Sequence, residues 1–338
     1  MKITRTALIG LSLAAACLSS CKKDDDSSST LDYLDGSISS VSLPTYVSKG
    51  ETFTLTPKGV THPDTGLAED VGYYWTLSWE SSAKDTTKTE ADKVSDGTFE
   101  FTTPSAVGAY TVGCVAFASN YYSLSWSGSI TVVDPALDST VSNAGYKPAS
   151  SFADDRDGNI YYTTSFAGKT WTRNNLFYKE AGVSYDNCEA MDPIFGRLYN
   201  WKEANQVCPE GWHLPSDAEF AQMANALGNG TFTAGADFKG IAGDLMVNAE
   251  FLGERMWEYW PQINITNKTG FSALPVGYAT SSGETSSFKG LDEYAAFWTS
   301  DSDGDLGVYR YIYVKQDIIY AGSSDKESFR AAVRCVKD

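Results

Sequence analysis

Between about Leu34 and Val133 the chain alternates large and polar residues with a period of two, which fits a pleated strand and not a helix. Thr52-Phe53-Thr54-Leu55 alternates, and so does Tyr73-Tyr74-Trp75-Thr76-Leu77-Ser78-Trp79. Lys93 to Thr102 ends with Phe99 and Phe101 on one face, Gly108 to Ala116 points Tyr110, Val112 and Cys114 the same way, and Ser129 to Val133 closes the series. Short strands at this spacing, with turn residues between them, predict an all-β sandwich over 34–134. Asp134 to Ser151 carries Pro, Ser and Asn without apolar periodicity and reads as a linker over 135–151.

The residues before the sandwich read as export machinery. Lys2 and Arg5 precede an apolar stretch from Ala7 to Leu18, too short to span a bilayer, and Leu18-Ser19-Ser20-Cys21 follows. This resembles a lipobox, which implies a signal peptide over 1–20, cleavage, and lipidation of Cys21. Several acyl chains on one residue anchor a chain stably. Lys22-Lys23-Asp24-Asp25-Asp26 opens a Ser-rich tether over 21–33 and resembles the export signal of surface lipoproteins in Bacteroidota. Localisation is therefore expected at the outer membrane, lipid-anchored and facing the exterior.

Charge narrows the partners. Without Lys2 and Arg5 the chain holds 24 basic against 43 acidic residues, a net of −19, which repels phosphate backbones and disfavours nucleic acid. Aromatics make up 13%, including 9 Trp and 20 Tyr, more than a core of this size needs. Four cysteines remain after Cys17 and Cys21 are set aside, with no CxxC and only 2 His, so the pattern is not that of a zinc cluster. An oxidising compartment permits a disulfide.

The sandwich region resembles the PKD and immunoglobulin-like modules of bacterial surface proteins. Trp75 falls where those folds bury a central Trp, and Gly108-x-Tyr110-x-Val112 resembles their tyrosine corner. No Cys accompanies Phe53 to Leu55, so the inter-sheet disulfide is missing and Cys114 reads as a small buried hydrophobe.

Residues 152–338 mix signals. Asp157-Gly158-Asn159 is a turn before a strand at Ile160 to Thr164, and Leu198 to Val207 looks helical. Ser216-Asp217-Ala218-Glu219 is a capping box opening a helix to about Leu227. Strands follow at Phe297 to Ser300, Val308 to Val314, Ile318 to Tyr320 and Ala331 to Val336, so an α+β domain is predicted. The runs Asp155 to Tyr161, Trp171 to Leu176, Gly196 to Trp201, Cys208-Pro209-Glu210-Gly211-Trp212-His213-Leu214-Pro215-Ser216, Gly270 to Tyr278, Phe297 to Ser300 and Arg334 to Val336 resemble, in order, the Fibrobacter succinogenes major paralogous domain, known as FISUMP. Lys169 departs from it, standing where the family often has Gln. The resemblance implies a C-type-lectin-like fold and glycan capture at the bacterial surface. It further implies that Cys208 and Cys335 form a structural disulfide, with Cys188 to either as the competing pairing. Trp171, Trp201, Trp212 and Trp298 lie in the family's motifs and are expected in the core.

Candidate ligand residues lie elsewhere. Met256-Trp257-Glu258-Tyr259-Trp260-Pro261 places three rings within four residues, in what the lectin-like resemblance makes a long loop. A pyranose stacks its C–H face on such rings, and its hydroxyls need polar partners, for which Glu258, Gln262 and Asn264 are at hand. Trp257 and Trp260 lead this set. Tyr309, Tyr311 and Tyr313 share one face of a strand, opposite Arg310 and Ile312, and either extend the platform or bury that face. Asp301, Asp303 and Asp305 are hard-oxygen candidates for calcium but lack the bidentate Glu of an EF-hand, so a solvated turn is the expectation and no cofactor is required. No carboxylate pair is marked for glycosidase work, and no enzyme is expected. The expected function is non-catalytic capture of a polysaccharide, such as a β-glucan, for a utilisation system with a TonB-dependent transporter and its partner lipoprotein. The alternative is an adhesin or structural subunit that binds a protein.

Overall fold

The computed structural model describes residues 31–39, 41–79, 97–135, 150–228 and 230–338. The signal segment, Cys21, the charged run after it and most of the linker lie outside these residues. The chain divides after Val133 into two compact units. Among the described residues no helix is long and apolar enough to cross a membrane.

In the first unit β1 (Tyr46–Ser48), β2 (Gly72–Trp79), β3 (Gly108–Phe117) and β4 (Leu124–Val133) form one sheet in the order β1-β4-β3-β2. β1 runs parallel to β4, and the other pairs are antiparallel. Thr52–Leu55 and Phe99–Thr102 form a separate antiparallel pair. The alternation in β3 drives Tyr110, Val112, Cys114 and Ala116 into the core. Trp75, fully buried, meets Phe101 of that second layer edge-on at 5.9 Å, and its indole N–H donates to the Gly97 carbonyl. The Tyr110 hydroxyl donates to the Ala106 carbonyl, 2.9 Å away and four residues upstream. Burial pushes the Cys114 thiol up to about 12.

The second unit begins its first strand at Ser150, two residues before the expected boundary, and this strand pairs with Ile160–Phe166. The order continues through Lys169–Thr172, Val336–Lys337 and Trp212–His213, so the first and last strands of the unit share a sheet. The Cys208–Cys335 disulfide sits beside this junction and closes a separation of 127 residues. Cys188 instead donates its thiol to the Asp186 carbonyl.

The helix expected from Leu198 to Val207 shrinks to Trp201–Ala204. Arg197–Leu198 pairs with Val183–Ser184, Tyr199 bridges Ala331, and Asn200 then starts the helix with a capping box to Glu203. The first residues make their backbone bonds to strand partners in place of helical ones. Helix α1 (Asp217–Asn225) follows the predicted box: the Ser216 side chain accepts from the Glu219 N–H, and the Glu219 carboxylate accepts from the Ser216 N–H at 2.8 Å. That carboxylate also meets Lys169 at 2.8 Å and His213 Nε2 at 3.0 Å. Burial alone would raise Glu219, but Lys169, Ser216 and His213 together outweigh it and hold the carboxyl at about 2. Lys169, the departure from the family pattern, is thus an ion-pair partner.

Two further sheets, one of four strands and one of three, position the candidate site. β5 (Tyr278–Ser282) pairs with Thr285–Lys289. β6 (Tyr294–Asp303), β7 (Leu306–Tyr313) and β8 (Ile318–Asp325) run antiparallel in that order, with Phe238–Lys239 on the far edge of β8. β9 (Phe329–Arg330) returns to pair with β5. Ala331 to Val336, expected as one strand, makes isolated bridges at Ala331 and Ala332 and regains strand geometry at Val336, because its neighbours change along its length.

Candidate functional site: a tyrosine-lined cleft

Two hairpins build the site. Residues directly opposite across antiparallel strands project to the same face. The β6–β7 register sets Tyr294 opposite Tyr313, and the β7–β8 register sets Tyr311 opposite Tyr320. Period-two alternation adds Tyr309 to that face and sends Arg310 and Ile312 into the core. The Tyr294 and Tyr313 rings stack at 4.6 Å and 18°, and Tyr311 and Tyr320 at 4.9 Å and 16°. Tyr278 of β5 and Phe329 of β9 stack at 5.3 Å, and Phe329 lies 4.7 Å from Tyr309. These seven rings, with Ala296 and Gln316, line a half-open cleft of about 420 Å³. That volume falls within the range of small-ligand sites.

Gly322 stands opposite Tyr309, and a Cβ there would come 2.7 Å from the ring's Cζ. The missing side chain lets the Tyr309 ring lie across β8. Beneath the cleft, buried Arg310 makes a two-pronged ion pair with Asp217 in the first turn of α1: Nε to Oδ1, and Nη2 to Oδ2 at 2.8 Å. Its guanidinium lies 3.8 Å over the Phe238 ring, and Nη1 donates to the Ala236 carbonyl. The core face of β7 is therefore fixed independently of the tyrosine face.

Burial raises the phenols of Tyr294, Tyr309, Tyr311 and Tyr320, so at neutral pH each hydroxyl keeps its proton and can both donate and accept. At the rim Lys315 lies 5.7 Å from the Tyr313 ring centre, 3.8 Å from Glu258 and 3.7 Å from Glu293.

The loop residues expected to bind divide. Trp257 is corrected: its indole is fully buried and donates to the Ala273 carbonyl at 3.0 Å, because Met256 and Trp257 fill the core beneath the loop. It offers no face to a sugar. Tyr259 is 68% exposed, with Arg255 5.5 Å over its ring, and Trp260 is half-buried. Gln262 and Asn264 are exposed. Glu258 reaches the cleft rim through Lys315. Tyr309, Tyr311 and Tyr313 line the cleft itself, and Tyr278, Tyr294, Tyr320, Phe329 and Gln316 join it from outside the expected ligand set. The signal that could have found Tyr294 and Tyr320 was the hairpin pairing of their strands with β7. Trp171 and Trp298 are buried as expected, while Trp201 and Trp212 are half-buried, Trp212 stacking on Phe152 at 4.4 Å. Asp301 accepts from the Asp217 N–H at 2.6 Å, and Asp303 pairs with Leu306 at the hairpin end. Among the described residues, no three His, Cys, Asp or Glu side chains gather at metal-binding distance.

Fold and cleft together define a β-rich chain of two units, the second closed by a disulfide and carrying an aromatic recess. The model of the Fibrobacter succinogenes major domain matches residues 157–337, more than half of the chain, and the chain belongs to that non-enzymatic family of surface proteins. A comparison with the curated proteins returns no match. Among solved structures, the adhesin InvE of Yersinia pseudotuberculosis matches at 12% identity, covering 90% of this chain and 70% of that one, with a TM-score of 0.25. A score that low does not establish a shared fold.

Proposed function

We propose that this protein captures a glycan at the bacterial surface without cleaving it, and that the tyrosine cleft is where the sugar sits. One observation carries the reading: seven rings from five strands converge on one recess of about 420 Å³. Sugar C–H faces stack on rings, and phenolic hydroxyls supply the hydrogen bonds that a sugar loses from water. The proposed ligand site is therefore the tyrosine face of β6–β8 and not the Trp257 loop, with Glu258 at its rim through Lys315.

Around this site the remaining expectations become one proposal. Cys21 carries the lipid, the chain faces outward from the outer membrane, and it works beside a TonB-dependent transporter and its partner lipoprotein. The first unit is an immunoglobulin-like spacer, supported by buried Trp75 and by the Tyr110 hydroxyl bond to Ala106. The second is a C-type-lectin-like module, supported by α1, its antiparallel sheets and the largely irregular stretch from 226 to 277.

Affinity electrophoresis and calorimetry of the full chain against neutral β-glucans, xylans and mannans test the function. Binding to at least one, weakened about ten-fold in Tyr311→Ala, is expected. A flat response across the panel overturns it.

A further inference from the structure

We propose that the cleft is selective for uncharged glycans and rejects those carrying carboxylate or sulfate groups. This rests on the glycan-capture reading and deepens it to a substrate class.

The lining is the first ground. Its side chains are six tyrosines, one phenylalanine, one alanine and one glutamine, none of them ionic. Burial raises the phenols of Tyr294, Tyr309, Tyr311 and Tyr320, so these four add no charge at neutral pH. An anion entering this recess sheds water and finds hydroxyl and amide dipoles but no cation among the lining side chains. Unpaired desolvation of an ion costs far more than that of a neutral hydroxyl. Neutral sugar hydroxyls, by contrast, match phenols that donate and accept.

The rim is the second ground. Lys315, beside Tyr313, is shared between Glu258 and Glu293, so its charge is already met by two carboxylates. Asp237 accepts from the Ala321 N–H of β8, next to Tyr320, and its negative field contributes to raising the Tyr311 and Tyr320 phenols. Three carboxylates to one ammonium leave the approach negative, on a chain of formal net charge −17. Repulsion of this kind reaches about 8 Å at physiological ionic strength and weakens as salt rises.

The test uses matched pairs, so that the backbone sugar is constant and only the charge differs. The neutral glycan that binds in affinity electrophoresis is compared with its own carboxymethylated and sulfated derivatives, with hydroxyethylated material as the control for bulk. The anionic forms should bind at least ten-fold more weakly, the hydroxyethylated form much less so. Gln316→Arg, which places a cation in the lining at an exposed turn position, should recover binding of the carboxymethylated form, and Tyr311→Ala should weaken the neutral form about ten-fold. Equal binding of neutral and anionic forms, or no gain in Gln316→Arg, overturns the selectivity while leaving glycan capture intact. Failure of every neutral glycan overturns the capture reading instead.

Discussion

Tyr311 and Tyr320 face each other across the β7–β8 hairpin with ring centres 4.9 Å apart and planes 16° from parallel. The next pair along, Tyr313 on Tyr294, repeats the arrangement across β6–β7. Two neighbouring hairpins therefore each contribute a stacked pair to one recess. If this is the sugar site, Tyr311→Ala and Tyr320→Ala should each weaken glycan binding about ten-fold, since a central aromatic contact contributes ~1–2 kcal/mol or more. Thermal unfolding should change little in Tyr320→Ala, whose ring lines the cleft rather than the core. Calorimetry with each variant would show it, and unchanged affinity in both would remove the site.

Trp257→Ala should behave differently. The indole is wholly enclosed and hydrogen-bonded to Ala273, so its loss should cost ~3–5 kcal/mol of stability. Chemical denaturation would show a lower midpoint, and any loss of binding should track unfolding. A stable Trp257→Ala protein that fails to bind would return the site to the loop.

Arg310 and Asp217 form a buried pair, and removing one partner strands the other charge. Asp217→Ala should destabilise by ~3–5 kcal/mol, whereas replacing both by apolar residues of similar volume should recover much of the loss. A double variant no more stable than the single one would contradict this account.

Gly322→Ala should narrow binding without unfolding the chain. Its Cβ would press on Tyr309 at 2.7 Å, and the ring can shift into the half-open cleft. A several-fold loss of glycan affinity at near-constant melting temperature is the expected readout.

Glu219 predicts the acid limb. Its folded pKa, about 2, lies below the unfolded value near 4.3, so its contribution is complete above the unfolded value and is lost as pH falls from about 4 toward 2. Its side chain is 15% exposed, and the contribution is roughly 3 kcal/mol. Burial pulls His213 down, yet Asp338 and Glu219 outweigh it and raise its pKa, so the His213 share is present below its unfolded pKa and fades as pH rises through the folded one. Glu219→Gln should flatten the acid limb of stability against pH. An unchanged limb would refute the assignment.

Breaking the Cys208–Cys335 bridge should lower stability by about 4–5 kcal/mol in the chain-entropy account, given a closed loop of more than 100 residues. Melting with and without reductant measures it, with Cys208→Ser/Cys335→Ser as the control.

How much of this was legible in the chain follows from the range of each signal. The Ser216–Glu219 capping box is local, and α1 starts where it says. The alternation of β3 and β7 is local too, and both strands formed with the faces it assigns. The Leu198 helix failed because its first residues found strand partners that local pattern does not reveal. Trp257 misled for a related reason: ring density marks aromatic residues but not which of them the core needs. Tyr278, Tyr294, Tyr320 and Phe329 join Tyr309 and Tyr311 only through sheet register, which depends on turns between strands rather than on any single stretch.

The opposite anchoring of the two faces of β7 has a further consequence. Arg310 and Ile312 hold the strand from below, so the residues at 311, 313 and 320 are free to be rewritten. Substitution on the open face of such a sheet changes the lining of the recess while the buried face keeps the backbone, which separates change at the surface from change in folding.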